Sequence, residues 1–355
     1  MTAAAVIEAI GHYLPGRRES NDELALRMDT SDEWIRTRTG ILGRARAEPG
    51  QATSDLAVEA GRHALQHTGA SVDTVVVATT TPDRKCPATA PVVADRLGLG
   101  RVTSFDLNSA CTGFLAGMSV ASGLVATGAA RGVLLIGAEK YSTIVYPDDR
   151  GTAPIFGDGA AAMVLRAGTP DEPGAIGAVH LSSDGSLWEL AHVRAGGSLR
   201  PVPDPDDPHD AYLRMNGRAT YRHAVAEMAA SCRLALAARG LAAHDVDRLV
   251  AHQANVRILQ EVARELGIPG ERSVVDLTDI GNTAAASIPM ALSRAHAAGT
   301  LTGRERLLLT AFGAGASWGA TVVTWPHLKP HPAPHLAPHP APHRQVHPTT
   351  EEVNP

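Results

Sequence analysis

The chain of 355 residues has little cysteine, no excess of positive charge and no long apolar run. Its three cysteines, Cys86, Cys111 and Cys232, stand far apart and form no CxxC pair. An odd number at such spacing is a poor disulfide framework, so a reducing cytoplasm is the expected compartment and no metal site is expected. A net charge of −5 removes any global field that would draw the chain to nucleic acid or an anionic membrane. No uncharged stretch reaches membrane-spanning length. The opening MTAAAVIEAIGHYLPG has no basic segment and is interrupted by Glu8 and His12, so a secretory signal is not expected either.

What is present is a soluble-type composition, 44% hydrophobic and 19% charged, on a chain long enough for two domains or one large α/β unit. Short β-branched runs such as Val75-Val76-Val77 and Val133-Leu134-Leu135-Ile136 alternate with Ala-rich helical patterns. One helix is predicted through Leu56, Val58, Ala60 and Leu65, and another through Val225, Met228, Cys232 and Leu236. Strands alternating with helices predict an α/β fold.

An internal repeat sharpens this. Residues 105 to 139, FDLNSACTGFLAGMSVASGLVATGAARGVLLIGAE, align with residues 275 to 315. Each reads strand, small-residue turn, Ala/Ser-rich helix closed by a glycine (Gly128, Gly299), then strand. DTVVVATTTP at 73 to 82 pairs likewise with DRLVAHQAN at 247 to 255. A period of about 170 residues is too long for a solenoid and predicts two related α/β halves. These are residues 1–170, with the cysteine of the repeat, and 171–325, with its histidine and asparagine. The segment SLRPVPDPDDPHDAY, 198 to 212, reads as a surface loop. From residue 326 to 355 the chain is Pro-rich, with His at 327, 331, 335, 339, 343 and 347, and is expected to be a disordered tail outside the fold.

Cys111 lies in NSACTGF, between a plausible strand over 102–107 and a helical start at Phe114. A thiol at a helix N-terminus meets unsatisfied N–H groups and the positive end of the dipole, which predicts a lowered pKa and a ready oxyanion site. Gly113 beside it permits a close approach. A buried structural thiol is the competing reading. Company favours the nucleophile: His252 follows a strand in LVAHQANVRI, and Asn282, in DIGNTAAAS, stands where the repeat is expected to place the counterpart of Cys111.

At these residues the chain resembles the β-ketoacyl-acyl carrier protein synthase III family of the thiolase superfamily, over about residues 4 to 325. The likeness rests on TSDEWIRTRTGI (30 to 41), SACTGF (109 to 114), DRGTAPIFGDGAAAMVL (149 to 165), HQANVRI (252 to 258), GNTAAASIP (281 to 289) and FGAGASWG (312 to 319). It implies a five-layered α-β-α-β-α thiolase-like fold and a homodimer. It also implies an enzyme that takes an acyl group from acyl-CoA onto Cys111 and condenses it with malonyl-acyl carrier protein, starting fatty acid or polyketide synthesis. His252 and Asn282 would stabilise the enolate, and no cofactor beyond the acyl-CoA substrate is implied. The N–H groups of Cys111 and Ala314 would form the oxyanion hole. The family usually has three glycines after the Phe; here Ala314 interrupts them, so access to positive φ is lost at that position.

By the same resemblance Trp34 and Arg150 would sandwich the CoA adenine, Arg38 would contact its phosphates, and Arg257 would contact CoA and the carrier. Arg222 and Arg264 would dock the acidic carrier protein. Cys86 falls where the family places a residue, often Phe, reaching into the partner's acyl pocket, which implies primers larger than acetyl. Three other readings compete. Acyl transfer from Cys111 to an acceptor without condensation is one. A thiolase is disfavoured because the loop at 313 to 316 has no second cysteine. A silent subunit is disfavoured by the retained Cys111, and a metal binder through the His-rich tail because imidazoles on a disordered chain are not a preorganised site.

Overall fold

The computed structural model describes residues 3 to 329, so the calls on residues 330 to 355 lie outside the described residues. The first half forms β1 (Ala4–Tyr13), an antiparallel pair β2 (Arg17–Ser20) and β3 (Gly43–Arg46) flanking α1 (Asn21–Ala25) and α2 (Asp32–Thr39), then α3 (Thr53–Leu65) and β4 (Thr74–Ala78). It continues through α4 (Ala90–Arg96), β5 (Thr103–Leu107), α5 (Gly113–Ala126), β6 (Gly132–Lys140) and β7 (Asp158–Gly168). The second half supplies β8 (His180–Ser183), the paired β9 (Ala191–Val193) and β10 (Leu213–Met215), α6 (Gly217–Ala238) and β11 (Arg248–Ala251). It ends with α7 (Val256–Leu266), α8 (Ser287–Ala297), β12 (Arg306–Gly313) and β13 (Ser317–Thr324).

One sheet has the order β1-β7-β6-β4-β5 and the other β11-β12-β13-β8. Taken from β8, the second repeats the first: two antiparallel neighbours, then a parallel one, but one strand short. The strand expected at 275 to 278 is the one missing. Ser273 makes a lone parallel bridge to Leu249. Beyond it, Gln253 Nε2 donates to the Val274 carbonyl at 3.1 Å and Gln253 Oε1 accepts from Asp276 N–H at 2.7 Å. A side-chain amide thus satisfies backbone groups that a fifth strand would have offered to its neighbour.

Alternation along the strands builds the layers. Val76 and Leu135 point inward with Leu309 from the other sheet, onto Phe114, Leu115 and Met118 of α5 and Ile288, Ala291 and Leu292 of α8. Phe114, Leu115 and Met118 are fully buried, each burial stabilising the fold by about 1.5–3 kcal/mol. Val75, Val77, Leu134 and Ile136 face outward onto α3 and α4. Leu249, Leu308 and Val322 face outward onto α6 and α7, where Cys232 is a buried core thiol. The result is five layers, α-β-α-β-α, with α5 and α8 innermost. Small residues let those helices close in: a Cβ on Gly117 would stand 2.4 Å from Leu135 Cδ1, and one on Gly113 would stand 3.3 Å from Ala285 Cβ. The close approach read for Gly113 is therefore to the other half's turn.

Candidate active site

Each inner helix begins with a short 3-10 turn, Ala110–Thr112 before α5 and Ala284–Ala286 before α8. Both turns open on an alanine in the left-handed region, Ala110 at φ 45° and Ala284 at φ 46°. In both, an asparagine two residues earlier accepts that alanine's N–H: Asn108 Oδ1 at 3.2 Å and Asn282 Oδ1 at 2.8 Å. The counterpart of Cys111 is accordingly Ala285, and the counterpart of Asn282 is Asn108. This corrects the expected pairing of Cys111 with Asn282: the two turns match, but the polar residue is offset by three positions. Strand register matches the same way, Ala78 ending β4 beside Gly137 and His252 following β11 with its N–H on the Thr310 carbonyl at 2.8 Å.

The turns converge on one apolar cavity lined by Cys111, His252, Asn282 and Ala314. Tyr141 and Phe156, stacked with centroids 4.6 Å apart, form part of its wall. Asn282 is held by its backbone, donating to Ile155 and accepting from Gly157 at 2.8 and 2.9 Å. With Oδ1 committed to Ala284, its amide donor is the group left for the cavity. His252 Nδ1 lies 2.6 Å from Ser287 Oγ, which also faces the Gln253 N–H at 3.4 Å. With Ser287 Oγ accepting that N–H and donating to Nδ1, the imidazole proton is assigned to Nε2. Ser287 stands inside GNTAAAS and was not singled out from sequence; its spacing of one helical start from Asn282 was the available signal.

Burial drives the electrostatics. It pushes His252 down to about 3, so the imidazole is neutral at working pH. It pushes the Cys111 thiol up to about 12, and the Glu139 carboxylate adds to the rise. The lowered pKa expected for Cys111 is thereby corrected. The cavity wall is apolar, the neighbouring imidazole is uncharged, and the charge that does face the thiol is negative.

At the end of β12, a Cβ on Gly313 would lie 2.8 Å from Cys111 N and 3.1 Å from Thr112 N. Positive φ falls on Gly315 (76°) and Ala316 (43°), not on Ala314. The alanine that departs from the family pattern therefore carries no left-handed strain.

A channel of about 800 Å³ runs outward from Asn282 and Phe156, past Thr220, Ala254 and Ile258, to Trp34 and Arg38. It shares these inner residues with the cavity, and its size suits a small-molecule site. Its outer wall exists because α2 is clamped to α7. Asn255 donates to the Arg38 carbonyl at 3.0 Å, and Arg257 donates to the Thr37 carbonyl at 3.1 and 2.8 Å. Gly40, at φ 80°, lets the chain pass Val256, where a Cβ would stand 2.3 Å from a methyl. The Arg38 and Arg150 guanidinium carbons lie 4.6 and 4.2 Å from the Trp34 ring centroid.

Arg222 is exposed on α6 outside the channel, and Arg218, one turn earlier and unremarked in sequence, lines it. Arg264 is exposed on α7 and paired with Glu261 at 2.7 Å and with Glu265, so its charge is already met. Cys86 is exposed on the loop after β4 and does not line the cavity.

Comparison with known proteins decides the family. A profile described as 3-oxoacyl-[acyl-carrier-protein] synthase III matches residues 105–185, and the profile of its C-terminal part matches residues 236–325. Beta-ketoacyl-[acyl-carrier-protein] synthase III 3 of Streptomyces coelicolor is 54% identical over 334 residues, covering 93% of this chain and 100% of the relative. The chain belongs to the 3-oxoacyl-[acyl-carrier-protein] synthase III family. The crystal structure of 3-oxoacyl-(acyl carrier protein) synthase III from Pseudomonas aeruginosa PAO1 superposes on this synthase with a TM-score of 0.86 at 44% identity, covering 92% of this chain and 100% of that one. The priming β-ketosynthase of the R1128 polyketide pathway gives 0.86 at 35% identity, covering 92% and 98%. The synthase is thus a thiolase-fold acyltransferase of the condensing, chain-initiating kind. Acyl transfer without condensation is not favoured.

Proposed function

We propose that Cys111 takes the acyl group of an acyl-CoA and that His252 and Asn282 support its condensation with malonyl-acyl carrier protein. One observation carries this assignment of roles: Cys111, His252, Asn282 and Ala314 line a single cavity that opens into the Trp34 channel. In the first step Cys111 Sγ forms a bond to the thioester carbonyl, the carbon–sulfur bond to CoA breaks, and the thiol proton leaves with CoA. The N–H groups of Cys111 and Ala314 hold the oxyanion of the tetrahedral intermediate. In the second step malonyl-carrier protein loses CO2, and the enolate oxygen receives hydrogen bonds from His252 Nε2–H and the Asn282 amide. Its carbon attacks the acyl-Cys111 carbonyl, the carbon–sulfur bond to Cys111 breaks as the β-ketoacyl-carrier protein departs, and the Cys111 thiolate takes a proton from solvent. A neutral histidine suits this role, since it donates without exchanging a proton, and no resident cofactor enters either step.

Trp34, Arg38, Arg150 and Arg257 are assigned to the CoA nucleotide, an indole face and guanidinium planes being suited to a purine and phosphates. Arg222 and Arg257, with Arg218, are assigned to the acidic carrier; among the described residues none of the three has a carboxylate partner. Arg264 is left as the weaker docking position. The working form is assigned as a homodimer. Its support is β5, a half-exposed edge strand carrying Phe105 and Leu107, together with the exposed Cys86 loop. A small residue at 86 favours primers larger than acetyl. Three free cysteines fit the cytoplasm, and no helix among the described residues is long and apolar enough to cross a membrane.

The test is acylation by a panel of radiolabelled acyl-CoAs followed by malonyl-carrier protein, for the wild type and Cys111→Ala. A labelled thioester and a β-ketoacyl product that both vanish in the variant are expected. Labelling that persists in Cys111→Ala refutes the nucleophile; a thioester that never yields product with malonyl-carrier protein refutes the condensation.

A further inference from the structure

Glu139 is a fully buried carboxylate at the end of β6 that the reaction above does not use. Donors from the turn after β4 converge on it, the Thr79 hydroxyl among them at 3.4 Å. The Thr80 N–H lies 3.1 Å from both oxygens and the Thr81 hydroxyl donates to Oε2 at 2.8 Å, while the Ala285 N–H adds a weaker attraction that favours the ionised carboxylate. Thr81 Oγ in turn accepts the Lys140 N–H at 2.9 Å, which orients its proton toward Glu139. Among the described residues no arginine or lysine pairs with it. The titratable groups that face it are the Cys111 thiol and the Tyr141 phenol.

The internal repeat gives this arrangement a meaning. Ala285 is the counterpart of Cys111, and register makes Glu139 the counterpart of Gly313: Glu139 stands opposite Gly159 in β7, as Gly313 stands opposite Ser317 in β13. Where the first turn points the Cys111 N–H past Gly313 into the cavity, the second points the Ala285 N–H at a carboxylate supplied by the protein. The second half therefore contains an anion hole that is already filled. The N–H next to it, Ala284, holds the Asn282 side chain. One short turn thus carries two adjacent tethers, one to Glu139 and one to the asparagine of the cavity.

We infer that Glu139 is a positioning residue: by filling the second anion hole it fixes the 284–286 turn to the turn after β4 and so aims Asn282 at the enolate. The inference rests on the condensation reading above. Burial raises the Glu139 carboxyl to about 7, and every donor around it is arranged for the ionised form. Protonation puts a hydrogen where donors converge, so the tether weakens as pH falls through that range.

The experiment measures Cys111 acylation and malonyl-dependent condensation separately between pH 5.5 and 8.5, in the wild type, Glu139→Gln and Glu139→Asp. Asp276→Asn is the control, since burial also raises the Asp276 carboxyl to about 7, beside Arg294. In the wild type, condensation is expected to fall on the acid side with an apparent pKa near 7 while acylation changes less than twofold. Glu139→Gln is expected to slow condensation about tenfold, keep acylation within twofold and abolish the acid limb. Glu139→Asp is expected to recover part of the rate, and Asp276→Asn to keep the limb. A wild-type condensation profile with no acid limb overturns the inference without any variant, as does a Glu139→Gln enzyme that condenses at the wild-type rate. Equal losses of acylation and condensation in both Glu139 variants also overturn it, by marking a general structural role. A wild type that acylates but never condenses would instead overturn the reading on which the inference rests.

Discussion

Replacing Gly313 with alanine tests the oxyanion hole with one methyl group. Gly313 is not at positive φ, so alanine meets no backbone penalty there. Its Cβ, however, would lie 2.8 Å from Cys111 N and 3.1 Å from Thr112 N. The first is the distance at which an oxyanion would accept from the Cys111 N–H, while the Thr112 N–H is already taken by the Ser109 carbonyl at 3.1 Å. The methyl therefore occupies the place of the developing charge, and a carbon offers no hydrogen bond in exchange. A shift of the loop by a few tenths of an ångström relieves the clash but leaves the donor misaligned. Loss of one such donor costs about 3–4 kcal/mol, or about 10²–10³ in rate. The assay is the rate of acyl-Cys111 formation from acyl-CoA, followed by intact-protein mass spectrometry. Alkylation of Cys111 by iodoacetamide, which develops no oxyanion, serves as the control and is expected to stay within about threefold. Acylation within threefold of wild type would refute the placement of the hole between Cys111 and the 313–314 loop.

Three other expectations follow from the same geometry. Ser287→Ala frees the His252 tautomer, so condensation should fall about tenfold with acylation nearly unchanged; equal loss in both steps would mean that Ser287 only packs. With burial and Glu139 raising the thiol to about 12, the thiolate fraction at pH 8 is about 10⁻⁴. Alkylation of the free enzyme should then keep rising with pH beyond pH 10, whereas a plateau near neutrality would show a thiolate stabilised at rest. If Trp34 stacks on the CoA nucleotide as assigned, Trp34→Ala removes a contact made equally in ground and transition states, so KM for acyl-CoA should rise about tenfold with kcat preserved. An acyl-pantetheine lacking the nucleotide should show no such rise, and a rise of the same size would move Trp34 off the nucleotide site.

Much of this architecture was legible in the sequence because it is written in small residues and periodicity. The β-branched run Val75 to Val77, the two Ala/Ser-rich helices and their closing Gly128 and Gly299 all correspond to observed elements. What was not legible depended on side chains acting at a distance. The run 275–278 has strand-like composition, but Gln253 takes the hydrogen bonds that would have made it a strand. In sequence the two small-residue turns set Asn282 opposite Cys111; only the left-handed Ala110 and Ala284 reveal the true register. The thiol was judged from the turn it sits on, while its charge state is governed by burial and by Glu139, a residue 28 positions away in the chain. Arg264 looked like a free docking charge because its partners, Glu261 and Glu265, lie along the same helix and not beside it in a motif.

The matched turns also bear on how many reactions one chain can run. A scaffold built from two alike halves offers two places where a helix start could receive a negative charge. Gly313 leaves one of them empty for a visitor, and Glu139 makes the other a permanent tenant. The duplication has not doubled the catalyst. It has divided the tools, the cysteine standing in one half and the histidine and asparagine in the other.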